Sequence, residues 1–145
     1  MKKMMMAVLF GMMVSMTACA ENAQLVTFGE LPKAAQTFIE TYFHASDILF
    51  IKAERDGLHQ DYDVRMSDGT EIDFDYQGNL EEVDCQLKAV PDGIVPERIT
   101  TYVSQHFANA LIVKYKIDRR EQKVELNNSL ELEFDRQGNF LRIDD

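Results

Sequence analysis

Two segments of the chain carry apolar residues at the spacing of an amphipathic helix. The apolar positions are Ala35, Phe38, Ile39, Tyr42 and Phe43 in the first segment and Ile99, Tyr102, Val103, His106 and Phe107 in the second. Pro32 and Pro96 precede them, at first-turn positions where a missing N–H costs little. The pattern predicts two helices, with His106 packed on the apolar face of the second.

The segments that follow each predicted helix alternate between apolar and polar residues, which indicates strands with one buried face. Val64 and Met66 alternate with charged residues, and so do Ile72 and Phe74. The sequence "SDGT" at 67–70 supplies turn residues between these two runs. The pattern therefore predicts antiparallel strands joined by tight turns.

The chain contains a long internal repeat. Residues 71–84, "EIDFDYQGNLEEVD", match residues 131–144, "ELEFDRQGNFLRID", and residues 31–48 match residues 95–112. We therefore predict an α+β fold of two tandem repeats, 31–85 and 95–145, joined by a linker at 86–94. Each repeat is expected to be a helix followed by a four-stranded antiparallel sheet, with the sheets side by side and the helices packed on one face.

The first twenty residues, "MKKMMMAVLFGMMVSMTACA", run from basic to apolar to small, which is the pattern of a signal peptide. Residues 21–30 follow as an N-terminal lead, and residues 21–145 are predicted to form a single domain. Two processing routes fit the sequence around Cys19: cleavage after Ala20 at an A-x-A site, or lipidation of Cys19 in a lipobox-like setting. We therefore expect a periplasmic or secreted protein or, alternatively, a lipoprotein anchored to a membrane through Cys19.

The charge of the chain narrows the class of partner. Without Lys2 and Lys3 it has 13 basic and 25 acidic residues, a net charge of about −12. Such an excess of acid disfavours nucleic acid, which needs basic patches, and fits a basic partner better. No apolar stretch after the leader is long enough to span a membrane, so we expect no transmembrane segment in the mature chain.

The segment "DFDYQGNLEEVD" (73–84) has the spacing of a calcium-binding loop, with oxygen-bearing side chains at the first, third, fifth and twelfth positions. Such a loop needs a helix on each side, whereas residues 71–75 alternate like a strand. We therefore predict a hairpin turn at "YQGN", and neither a metal site nor a cofactor.

Catalytic patterns are missing from the sequence. The three histidines are not spaced as a zinc pair, and none of the serines lies in a nucleophile elbow. Cys85 has no partner for a disulfide once Cys19 is removed or acylated, and its acidic neighbours raise rather than lower a thiol pKa. The sequence predicts no catalytic residue and no enzyme.

The polar face of the predicted sheet is rich in carboxylates. We predict a partner-binding surface there, in which Phe50, beside Ile48, supplies an apolar anchor within an acidic field. The alternative is that these charges only keep the protein soluble and protect its sheet edges. The candidate residues are Phe50, Asp61, Asp63, Glu71, Asp73, Asp75, Glu125, Glu131, Glu133 and Asp135.

A leader followed by two helix-plus-strand repeats, each closing with "FDxQGN" (74–79 and 134–139), resembles the PepSY-like secreted proteins of Bacteroides-type bacteria. The resemblance covers residues 31–145. It implies a fold similar to the β-lactamase inhibitory protein, with both repeats in one curved sheet, export from the cytoplasm and no known catalysis.

Together these observations favour an exported, non-enzymatic binding or inhibitory module of the bacterial cell envelope. Its partner would be an envelope or secreted protein that contacts the acidic sheet face. The alternative is a periplasmic protein that binds a small ligand, or calcium weakly.

Overall fold

The computed structural model describes residues 23–144. The predicted signal peptide at 1–20 and the lipidation candidate Cys19 lie outside the described residues.

The described chain forms two α-helices and nine β-strands. The helices are α1 (Lys33–Tyr42) and α2 (Glu97–His106), and short 3-10 helices occur at Phe28–Glu30 and Ala45–Asp47. The strands are β1 (Ala23–Val26), β2 (Ile48–Asp56), β3 (His59–Met66), β4 (Glu71–Phe74), β5 (Leu80–Asp84), β6 (Ile112–Ile117), β7 (Glu121–Leu126), β8 (Glu131–Asp135) and β9 (Phe140–Asp144).

All nine strands belong to one antiparallel sheet, in which each strand pairs with its neighbours in chain order. The predicted mixture of helices and antiparallel strands is confirmed. The four-stranded sheets of the two predicted repeats are not separate, because β5 and β6 pair directly through Glu82–Asp84 and Lys114–Lys116 and join all strands in one sheet, as the family resemblance implies. Residues 23–26, which the sequence places in a lead, add β1 as an edge strand on β2.

The hydrophobic core lies between the helices and one face of the sheet. The ring of Phe38 on α1 contacts that of Phe74 edge-on with centroids 5.5 Å apart, and Tyr102 on α2 contacts Phe134 at the same distance. Phe74 and Phe134 are fully buried. The side chains that alternate with this core along β2–β9 point to the opposite side, which we call the open face.

The repeated turn of sequence D-x-Q-G-N supports the helices. Gly78 has a φ of +85°, and a Cβ there would lie 2.8 Å from Cβ of Pro32 and 2.9 Å from the backbone nitrogen of Ala35. A side chain would therefore collide with the first turn of α1 as well as strain the backbone. The predicted strand–turn–strand over residues 71–84 is confirmed, since β4 and β5 flank this turn.

Two further features concern the helices. His106, predicted to be packed against the core, is exposed, because α2 ends there and Phe107 takes the place on the core side. The ring of His106 stacks on that of Tyr102 with centroids 4.0 Å apart. Neither α1 nor α2, the two α-helices in residues 23–144, has the length and apolar character needed to cross a membrane.

Candidate functional site

One row of side chains crosses the open face from β2 to β9. Each member lies directly opposite the next on the neighbouring strand, where side chains are close enough to interact. We call it the central row, and it consists of Lys52, Asp63, Asp73, Glu82, Lys116, Lys123, Glu133 and Arg142.

Three carboxylates stand side by side in the first half of the central row, at Asp63, Asp73 and Glu82. The pKa of Asp73 is raised to about 7, first because its carboxyl is partly buried and then because Asp63 and Glu82 are negatively charged. Burial and the charge of Glu54 also raise the pKa of Asp63. The two aspartates share a hydrogen bond in which protonated Asp73 donates to the Asp63 carboxylate. We call Asp63, Asp73 and Glu82 the acidic triplet.

Cations flank the acidic triplet on both sides. On the β6 side, the carboxylate of Glu82 forms an ion pair with Nζ of Lys114 at 3.0 Å and lies 3.7 Å from Nζ of Lys116. On the β2 side, Lys52 lies 2.5 Å from Glu54, and its charge lowers the pKa of Asp63 without cancelling the effect of burial. Asp73, in the middle, has a carboxylate opposite it on both neighbouring strands.

The second half of the central row alternates in sign. Glu133 is only 2% exposed and lies between Lys123, at 2.8 Å, and Arg142, which forms an ion pair with its other carboxylate oxygen. Arg142 also reaches Glu121 at 3.0 Å. Buried charges are tolerated when they are paired, so this part of the row is a paired ionic cluster.

Several of the candidate residues predicted from the sequence do lie together. Phe50, Asp63, Glu71 and Asp73 line one cavity of about 230 Å³, together with Lys52 and Arg65. Phe50 is 40% exposed, and Glu71 is held by Arg65 at 2.6 Å. An apolar ring thus lines the same cavity as Asp63 and Asp73.

The other candidates lie apart from this cavity. Glu125 and Glu131 face each other on β7 and β8, and Asp61 lies toward the end of the sheet where β2 turns into β3. Asp75 and Asp135 cap the repeated turns. Asp75 Oδ1 accepts the backbone N–H of Gln77 at 2.9 Å and that of Asn79 at 2.8 Å. Asp135 makes the same contacts, and its hydrogen bonds with Asn139 lower its pKa.

Sequence reasoning missed Glu82 as a member of the site. Simple alternation from Leu80 fails here, because a β-bulge lies between the pairs Asp73–Glu82 and Phe74–Leu80. The bulge leaves Glu81 as an extra residue and places Glu82 beside Asp73. The place of Glu82 beside Asp73 is known only from the observed strand register. The sequence repeat does show that Glu82 corresponds to Arg142 in the second copy.

Neither a reactive thiol nor a metal centre emerges from the geometry of residues 23–144. Cys85 is buried, and burial, followed by the charges of Asp68 and Asp84, raises the pKa of its thiol, in the direction predicted. No group of three or more His, Cys, Asp and Glu side chains in this part of the chain is arranged to hold a metal ion.

The family of the chain follows from its residues 60–142, which match the family model described as "Putative beta-lactamase-inhibitor-like, PepSY-like". The chain belongs to the PepSY-like family. The family resemblance noted in the sequence is therefore confirmed. The matched segment includes the acidic triplet and the ionic cluster around Glu133.

Solved structures of PepSY-like relatives share the fold. A "putative periplasmic protein" of the DUF2874 family from Bacteroides vulgatus is 35% identical, with a TM-score of 0.82 over 87% of this chain and 99% of that one. A "putative calcium-regulated periplasmic protein" from Bacteroides thetaiotaomicron is also 35% identical, with a TM-score of 0.80 over the same shares. A second periplasmic protein of unknown function from Bacteroides vulgatus is 32% identical, with a TM-score of 0.80 over 85% of this chain and 99% of its own. No curated protein matches the sequence.

Proposed function

We propose that this protein is an exported, non-enzymatic binding module of the bacterial cell envelope, and that it holds a cationic protein partner against the first half of its open face. Its PepSY-like family carries no catalytic description, and similar structures belong to periplasmic proteins. The leader-like residues 1–20 support export, with cleavage near Ala20 or lipidation at Cys19 as the two routes.

The observation that carries the proposal is the acidic triplet. Like charges directly opposite each other destabilise a sheet, and the same three positions in the second half hold two cations around one carboxylate. The triplet lies on the face opposite both helices, with the exposed ring of Phe50 at its edge. A partner that brings a cation to Asp73 would remove the repulsion and displace its proton, while Phe50 gives an apolar contact.

The test compares two variants that each replace two carboxyl groups by amides. The purified protein is cross-linked in an envelope extract of its host, and the affinity of the captured partner is then measured for Asp63→Asn/Asp73→Asn and for Glu40→Gln/Asp47→Asn. The second pair is exposed and lies in or beside the helices, away from the open face. We expect the first variant alone to lose about tenfold or more in affinity, with binding that weakens as salt rises. Equal affinities for both variants would contradict the proposed surface.

Calcium is the second candidate ligand, because one relative that is 35% identical is described as calcium-regulated. The acidic triplet is not arranged as a ready-made metal site, but a divalent cation bound there would relieve the repulsion around Asp73. Calorimetry of the protein with calcium at pH 8, repeated with Asp63→Asn/Asp73→Asn, distinguishes calcium from a protein partner as the ligand. Heat that the variant abolishes would favour an ion-binding protein, and the absence of heat would leave the protein partner as the explanation.

A further inference from the structure

A groove of about 980 Å³ lies at one end of the sheet, where four hairpin turns come together. It is bounded by the turns β2–β3 and β4–β5 from the first half and by β6–β7 and β8–β9 from the second. It is separate from the 230 Å³ cavity beside Phe50, and it continues the open face toward Asp61 and Glu81.

The first-half bank of the groove is acidic and aromatic. The rings of His59 and Tyr76 stack with centroids 4.1 Å apart, and Tyr76 is 46% exposed. Asp61 and Glu81 lie beside them. Burial, and then the charges of Asp61 and Asp75, raise the pKa of Glu81, so carboxylates crowd this bank. Aromatic rings next to carboxylates are a setting that accepts the alkyl stem and charged head of lysine or arginine.

The second-half bank of the groove carries cations. Lys116, Arg119 and Arg136 line it together with one carboxylate, Asp118, whose Oδ1 accepts the backbone N–H groups of Arg120 and Glu121. Arg136 is oriented by its hydrogen bond to the carbonyl oxygen of Asp118 at 2.8 Å. Tyr76 and Arg136 occupy the same place in the two copies of the repeated turn. The bank from the first half is therefore mainly acidic and aromatic, and the bank from the second half is mainly cationic.

The full width of the groove, from Asp61 to Lys116, suits a short extended peptide. Glu81, on β5, lies nearer to Lys116, whose positive charge acts on its carboxyl. Asp61 is on β3 and Lys116 is on β6, three strand spacings apart, or about 14 Å. About four residues of extended chain span this length. A ligand with a single charge would satisfy one bank and meet repulsion at the other.

We propose that this groove seats an extended peptide segment, with a basic side chain held between Tyr76, Asp61 and Glu81 and an acidic side chain held by Arg119 and Arg136. The inference rests on the proposed function, since it names the part of a protein partner that would dock beside the acidic triplet. It adds that the partner needs both signs of charge, about three or four residues apart.

The test uses the peptide acetyl-Lys-Gly-Gly-Glu-amide and two analogues in which glutamine replaces either charged residue. Binding to the purified protein is followed by amide chemical shifts. We expect saturable shifts around Tyr76 and Arg119, and a weakening of about threefold to fivefold for each analogue and for Tyr76→Ala. Leu58→Ala is the matched control, because Leu58 is fully exposed at the tip of the β2–β3 turn and does not itself line the groove. This variant should bind as the native protein does.

The outcomes separate this proposal from the proposed function. Shifts that do not saturate, or equal weakening by Tyr76→Ala and Leu58→Ala, would overturn the groove as a peptide site. If the captured partner keeps its affinity in Tyr76→Ala but loses it in Asp63→Asn/Asp73→Asn, the acidic triplet binds the partner and the groove proposal fails. If the peptide binds as expected and no partner depends on the triplet, the groove stands and the proposed function fails.

Discussion

Asp73 and Glu133 occupy matching positions in the two halves of the sheet, and their surroundings are opposite. The first half runs from α1 to β5 and the second from α2 to β9. Asp73 lies between Asp63 and Glu82, whereas Glu133 lies between Lys123 and Arg142. The same backbone thus holds one carboxylate in a repulsive row and the other in a neutralised cluster.

The cores of the two halves show no such divergence. Phe74 and Phe134 are both fully buried, and each contacts one aromatic ring of its own helix at 5.5 Å. Packing constrains both positions, because each ring fills the space between a helix and the sheet. The comparison teaches that the second half pairs its central carboxylate with cations on both sides, while the first half places carboxylates opposite Asp73 on both neighbouring strands.

The largest expected effect tests whether the two cores are equivalent. Phe74→Ala and Phe134→Ala should each reduce the free energy of unfolding by about 3–5 kcal/mol, because each removes a buried ring from the helix–sheet interface. Urea denaturation of both variants measures this. A loss confined to one variant would show that the two halves do not contribute alike to a common core.

A smaller effect is expected from the ionic cluster. Glu133→Gln should destabilise the protein by about 2 kcal/mol, since it leaves Lys123 and Arg142 facing each other across a buried position while both stay partly solvated. Urea denaturation at neutral pH gives the value, with Glu40→Gln on the exposed side of α1 as the charge-matched control. Equal stability of the two variants would contradict the structural role given to Glu133.

Much of the fold could be read from the sequence, because alternation and helical spacing report burial directly. The helices beginning after Pro32 and Pro96 and the turn at Gly78 follow from such local signals. The local pattern could not show that β5 pairs with β6, because this pairing joins distant segments; the single sheet was expected only from the family resemblance.

The candidate site was only partly predictable for a related reason. Alternation correctly assigned Asp63 and Asp73 to one face of the sheet. The bulge at Glu81 breaks the alternation in β5, so the pattern did not place Glu82 on that face. Asp75 looked like a surface carboxylate, while its oxygens are used by the turn. Which charged residues lie opposite each other depends on the strand register, and the local sequence pattern does not determine that register.

The measurement that tests the central claim most directly is the pH dependence of stability in Asp73→Asn. The folded protein holds a proton on Asp73 that the unfolded chain loses near pH 4, so stability attributable to this group falls as pH rises from about 4 to about 7. Asparagine can donate the same hydrogen bond to Asp63 at any pH.

Urea denaturation of the native protein, Asp73→Asn and the control Glu40→Gln at pH 8 and pH 5 provides the comparison. We predict that Asp73→Asn is more stable than the native protein by about 1 kcal/mol at pH 8, a value reduced by partial exposure, and that the gain largely disappears at pH 5. A loss of stability at pH 8, or a gain that does not depend on pH, would contradict the claim that Asp73 is repelled by the carboxylates opposite it on both neighbouring strands.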